Sequence, residues 1–125
     1  MPNSVSVVNS LKKFELDAIN VLASRELSPS AMVALAKPVA PIHYEYTGYG
    51  YFLTIKDVRL PLEPRTLSEP PIIGMAEDVV CRFIVFLGDG KLTFECHTLG
   101  PGKVPPDFRE QAVVVRQPLP DDPTQ

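Results

Sequence analysis

The chain has no tryptophan, and only two cysteines and two histidines among its 125 residues. Two thiols cannot build the disulfide framework on which small secreted domains depend, so Cys81 and Cys96 are expected to stay reduced in a cytoplasmic protein. No apolar run approaches the roughly eighteen residues of a transmembrane helix, and no charged N-terminal region leads into an apolar stretch of signal-peptide length. The reading is therefore no membrane. Basic residues are not in excess either: twelve Lys and Arg face fifteen Asp and Glu, a net charge of -3. A nucleic-acid binder would show a basic excess or stripe, so no nucleic-acid partner is expected.

Signatures of common enzyme classes are missing too. No serine sits in a nucleophile-elbow pattern, and the glycines at 48, 50, 88, 90, 100 and 102 never form a phosphate loop ahead of a helix. Cys96 has His97 beside it, but adjacent strand residues point to opposite faces, so that imidazole cannot activate that thiol. The chain reads as a non-enzyme with no cofactor.

What it has in quantity is proline, 14 of 125 residues, about twice the average usage. The prolines fall outside the best periodic segments and mark loops and ends. A length of this order fits one domain with a self-sufficient core. Residues 1–116 are assigned to that domain and 117–125, with three prolines and two aspartates, to a loose tail.

Residues 5–25 read as a helix, with Leu11, Phe14, Ala18, Val21, Leu22 and Arg25 at three- and four-residue steps and Glu15 and Asp17 largely off that stripe. Ser28-Pro29, an N-cap serine before a first-turn proline, opens a second helix that ends at Lys37-Pro38. From Val39 the period becomes two, with His43 and Glu45 alternating against Ile42, Tyr44 and Tyr46. Tyr51 to Ile55, Val79 to Leu87, Lys91 to Thr98 and a short edge strand from Ala112 to Arg116 complete the strands, and 57–72 is a long loop. The expected fold is α+β: an N-terminal helical hairpin packed on a mainly antiparallel sheet of four or five strands.

Asp89-Gly90 between two apolar runs is a strong hairpin signal. A turn on those two residues sets Leu87 opposite Leu92, Val85 opposite Phe94, Phe83 opposite Cys96 and Cys81 opposite Thr98, an apolar face that must be core. The other face pairs Phe86 with Thr93, Ile84 with Glu95 and Arg82 with His97. Cys81 and Cys96 are then diagonal neighbours packing as small hydrophobes; only a Gly88-Asp89 turn would set them directly opposite for a disulfide.

Two surfaces are candidates for function. Arg82, Glu95 and His97 share the outer face of the hairpin, and Tyr49 and Tyr51 extend it as aromatic contacts for a protein partner. The run Tyr44, Tyr46, Tyr49, Tyr51 and Phe52 also admits a core reading, and Gly48 and Gly50 mark a bend with close backbone approach. The alternative is a metal site: His43 and Glu45, with Glu95 and His97, each project two ligands from one strand face and would converge if their strands were neighbours.

Glu45-Tyr46-Thr47-Gly48-Tyr49-Gly50-Tyr51-Phe52 resembles the "(F/Y)TGxGFF" segment of a group of small bacterial proteins. Phe83 to Glu95 resembles the group's "GFVxFVxDGxLxxLE" hairpin, and Pro105-Pro106-Asp107 its closing "(W)P" element. Order and spacing agree over residues 10–110, while Tyr51 stands where the group has Phe and no Tyr-Thr-Tyr follows Glu95. The resemblance carries no catalytic residues. Because some proteins similar to the group are candidate immunity proteins of bacterial toxin systems, it implies a cognate toxin as the partner. The chain is expected to be a monomer or homodimer, and a third reading of its function is a homodimer joined through an exposed strand edge.

Overall fold

The computed structural model describes residues 4–120. Its strands are β1 (Ser4–Val8), β2 (Ile42–Tyr46), β3 (Gly50–Lys56), β4 (Arg65–Leu67), β5 (Ile73–Ala76), β6 (Val79–Gly88), β7 (Lys91–Thr98) and β8 (Val114–Arg116). The helices are α1 (Lys13–Ala23) and α2 (Pro29–Ala36), and a single 3-10 turn spans Phe108–Glu110. All eight strands belong to one antiparallel sheet in the order β1-β2-β3-β7-β6-β5-β8, with β4 pairing the far half of β6.

The α+β class and the antiparallel sheet are as expected; the strand count and the helical hairpin are corrected. Residues 4–8 are a strand, Val8 pairing Ile42, so α1 starts only at Lys13. The two helices do not pair as a hairpin; α1 packs on β6 and β8, and both helices contribute buried side chains to the core. The proline-rich stretch holds β4, and β5 follows it. Beyond β8, residues 117–120 are exposed, and the rest of the expected tail lies outside the described residues.

Local chemistry explains each helix start. Ser28 Oγ accepts a hydrogen bond from the Ala31 amide at 3.1 Å, with Pro29 at the first position, where its missing N–H costs nothing. In α1 the Glu15 carboxylate reaches back to the Lys12 amide at 2.7 Å, filling one of the orphan donors of the first turn.

The β6–β7 hairpin has the expected register, from Gly88 opposite Lys91 to Cys81 opposite Thr98. Asp89 and Gly90 both have positive φ, 54° and 73°, the twist of a primed turn. The proline-rich loop docks on that turn: the Asp89 and Gly90 amides donate to the Leu62 and Pro61 carbonyls, both at 3.0 Å.

The core lies between the helices and one face of the sheet. Leu53, Ile55, Phe83, Val85, Leu92, Phe94 and both cysteines meet Phe14, Ala18, Ile19, Leu22 and Leu35 there. A chain of rings runs through it, Phe108 to Phe14, Phe83, Phe94, Tyr51 and Tyr44, with centroids 5.2 to 6.3 Å apart. Such spacings add to the simple burial of area. Both cysteines are free and buried, as the register predicts.

Candidate functional site

Because both helices sit on one face, the other face of the sheet carries no helical layer. The registers of β3, β7 and β6 lay its centre out in rows. Gly50, His97 and Arg82 form one; Phe52, Glu95 and Ile84 the next; Thr54, Thr93 and Phe86 the third. Phe52, Ile84 and Phe86 are partly buried, and so are the polar groups between them. Three large apolar side chains therefore lie within a lattice of hydrogen-bonding and ionisable ones, a composition suited to protein contact.

Arg82, Glu95 and His97 stand together there, as their spacing predicts. His97 Nδ1 lies 3.7 Å from Glu95 Oε2, with the two side chains about one-fifth exposed. Arg82 Nη2 donates to the Ser68 carbonyl at 3.3 Å and lies 3.5 Å from Glu69 Oε2. Its Nε is buried with no hydrogen-bond partner among the described residues. A buried donor left unmatched is costly, and an acceptor brought by a partner would relieve that cost.

The tyrosines divide. Tyr49 is well exposed at the β2–β3 turn, with the Lys103 ammonium 5.9 Å from its ring centre. Tyr51 is not on the surface: it is 2% exposed, on the same face as Leu53 and Ile55, so it leaves the candidate surface. Burial pushes its phenol pKa well above the ordinary value, with nearby Cys96 and Glu15 adding to the shift. The turn itself is braced by Tyr46, whose hydroxyl donates to the Val104 carbonyl at 2.6 Å, and by the Val104 amide, which donates to the Gly48 carbonyl. Gly50 approaches β7 so closely that a Cβ there would lie 1.8 Å from the Cys96 carbonyl oxygen. Glycine is compulsory at that position.

The His/Glu set does not converge. Strand β3 separates β2 from β7, and Phe52 stands between Glu45 and Glu95 in the same row. Those two backbones are thus about 10 Å apart, two strand spacings. His43 pairs Thr54, in the row of Thr93, while His97 lies two rows away opposite Gly50. Among the described residues no group of three or more His, Cys, Asp or Glu side chains is placed to hold a metal ion.

Sequence reasoning misses two other features. The first is a buried ionic knot on the helix side. Glu15, fully buried, accepts from Arg109 Nε at 2.7 Å, Arg109 Nη2 at 2.8 Å and the Tyr51 hydroxyl at 2.6 Å. Arg109 also donates to the Ser10 carbonyl at 3.0 Å and lies over the Tyr44 ring. The second is a groove of about 710 Å³ between α1 and β8, floored by Phe14, Ile72 and Val115. Its lysines are committed to neighbours, Lys12 to Glu110 at 3.0 Å and Lys13 to Asp17 at 2.9 Å. Its Arg109 is held by Glu15.

Comparison of the chain with protein-family models, with curated proteins and with solved structures finds no match. Among the described residues no helix is long and apolar enough to cross a membrane.

Proposed function

We propose that this protein is a non-catalytic protein-binding module, in its most concrete form an immunity-type protein that occupies a bacterial toxin domain. The observation that supports this reading is the uncovered sheet face, on which Phe52, Ile84 and Phe86 lie among Arg82, Glu95 and His97. A central apolar patch with an arginine beside it is the composition of a recognition surface, where aromatic and Arg anchors contribute most of the affinity. The net charge of -3 favours encounter with a basic partner, such as a nuclease toxin domain.

The test is native mass spectrometry of the chain after co-expression with the protein encoded beside it, together with a growth assay. The expected result is a one-to-one complex, and growth arrest when the neighbour is expressed without this chain. Ile84→Asp and Arg82→Ala should release the partner while leaving the circular dichroism spectrum unchanged. A neighbour that neither binds nor arrests growth, or a complex indifferent to both substitutions, would refute the reading.

A further inference from the structure

Strand β1 forms one end of the sheet, and its outer edge has no partner among the described residues. Natural edge strands are blunted by lysine, proline, a bulge or brevity, because their unpaired amides and carbonyls otherwise recruit another strand. The far side of the sheet follows this rule. There β8 has three residues and carries Arg116, and β4 has three residues, carries Arg65 and follows Pro64. In contrast, β1 reads Ser-Val-Ser-Val-Val over five residues, without a charge, a proline or a glycine. Its Val5 and Val7 project from the uncovered face and are 57% and 63% exposed.

We propose that β1 is a self-association edge, and that two copies of this chain join their sheets through an antiparallel β1–β1 pair. The occupant follows from the strand's own chemistry. An antiparallel pair centred on Ser6 is the one symmetric register that uses all five residues, setting Ser4 opposite Val8 and Val5 opposite Val7. A two-fold interface of this kind is self-complementary by construction. It lines up four valines on the uncovered face, two from each copy. The adjoining β2 strands fit as well. Val5 pairs Glu45 and Val7 pairs His43, so the row across the joint runs Glu45, Val5, then Val7 and His43 of the second copy. No like charges meet, although each chain is acidic.

Five paired residues make a contact at the small end of specific interfaces, so the dimer is expected to dissociate on dilution. The proposal needs no outside partner and stands apart from the recognition surface centred on Arg82. The experiment is sedimentation equilibrium of the full chain over a dilution series. The expected mass at the concentrated end is twice the 13.8 kDa of one chain. Val5→Glu with Val7→Glu sets four carboxylates in two facing pairs and should give a monomer. Val5→Lys with Val7→Glu sets lysine opposite glutamate twice and should restore the dimer. Both positions are solvent-exposed, and circular dichroism checks the fold of each variant. A wild type that stays monomeric overturns the proposal, and so does a dimer that the double glutamate variant keeps. Restoration by the Lys/Glu pair supports the register itself.

Discussion

Glu15 and Arg109 lie 94 residues apart in sequence and meet in a two-pronged ion pair at 2.7 and 2.8 Å, with the guanidinium over the Tyr44 ring. This pair ties the first turn of α1 to the 3-10 turn between β7 and β8. The carboxylate is fully buried and all its contacts are satisfied within the fold: the guanidinium, the Tyr51 hydroxyl and the Lys12 amide. An ion pair so buried is stabilising only while both halves are present, because either charge alone would remain desolvated without its partner.

Removing one half should therefore cost more than removing both. Arg109→Leu or Glu15→Leu alone is expected to destabilise the protein by about 3–5 kcal/mol, and the double variant by clearly less than the sum. Urea unfolding of the four proteins in a double-mutant cycle measures this. Additive losses would show that the pair is not coupled.

The stacked pair Phe83 and Phe94, with ring centres 5.2 Å apart, anchors the hairpin in the core. Phe83 is fully buried, so Phe83→Ala is expected to cost about 3–5 kcal/mol by denaturant unfolding. Ile84→Ala, on the opposite face of the same strand, should cost far less. A larger loss for Ile84→Ala than for Phe83→Ala would mean that the two faces are exchanged.

How much of this is legible in the sequence depends on how local the cause is. The hairpin is legible because Asp89-Gly90 fixes the turn and the turn fixes each later pair; Arg82 and His97 are brought together by that register alone. Ser28-Pro29 starts α2 for an equally local reason. Strand β1 is hidden because its five residues run close to the helical stripe that opens at Leu11. Strands β4 and β5, three and four residues long, are too short to show a period among Pro61, Pro64, Pro70 and Pro71. Glu15 reads as a solvent-facing charge because its partner is remote in sequence. Tyr51 is the instructive error: alternation with Leu53 and Ile55 already assigns it to the core, and the aromatic run draws attention to the wrong face.

Gly50 and Gly102 offer a contrast in why glycine is needed. A Cβ at Gly50 would lie 1.8 Å from the Cys96 carbonyl oxygen, backbone that cannot move without breaking the β3–β7 ladder. Around Gly102 nothing lies within 4 Å, and only its φ of 99° opposes a side chain. Gly102→Ala should thus cost about 1–3 kcal/mol of local strain and still fold. Gly50→Ala is expected to abolish cooperative thermal unfolding. A well-folded Gly50→Ala protein would show that β3 is not held so closely against β7.

Strong acid should loosen the loop that leaves β3. Asp57 accepts hydrogen bonds from Arg59, at its amide (2.9 Å), Nε (2.8 Å) and Nη2 (2.9 Å). The side-chain hydrogen bonds from Arg59, and then the backbone one, lower the Asp57 pKa from 3.8 to about 2. A carboxylate with a depressed pKa in the fold supports it at any pH above the unfolded value and loses that support as pH falls through the folded one. The contribution is therefore intact at neutral pH and fades between 3.8 and about 2. Because the Asp57 amide donates to the Gly90 carbonyl and the Leu60 amide to the Asp57 carbonyl, this loss should loosen the loop against the hairpin turn. NMR titration of the Asp57 carboxyl, with amide exchange at Arg59 and Leu60, follows both events. Asp57→Asn should show the faster exchange already at neutral pH and lose its dependence on acid; exchange unchanged by pH or by the substitution would remove Asp57 as the latch of this loop.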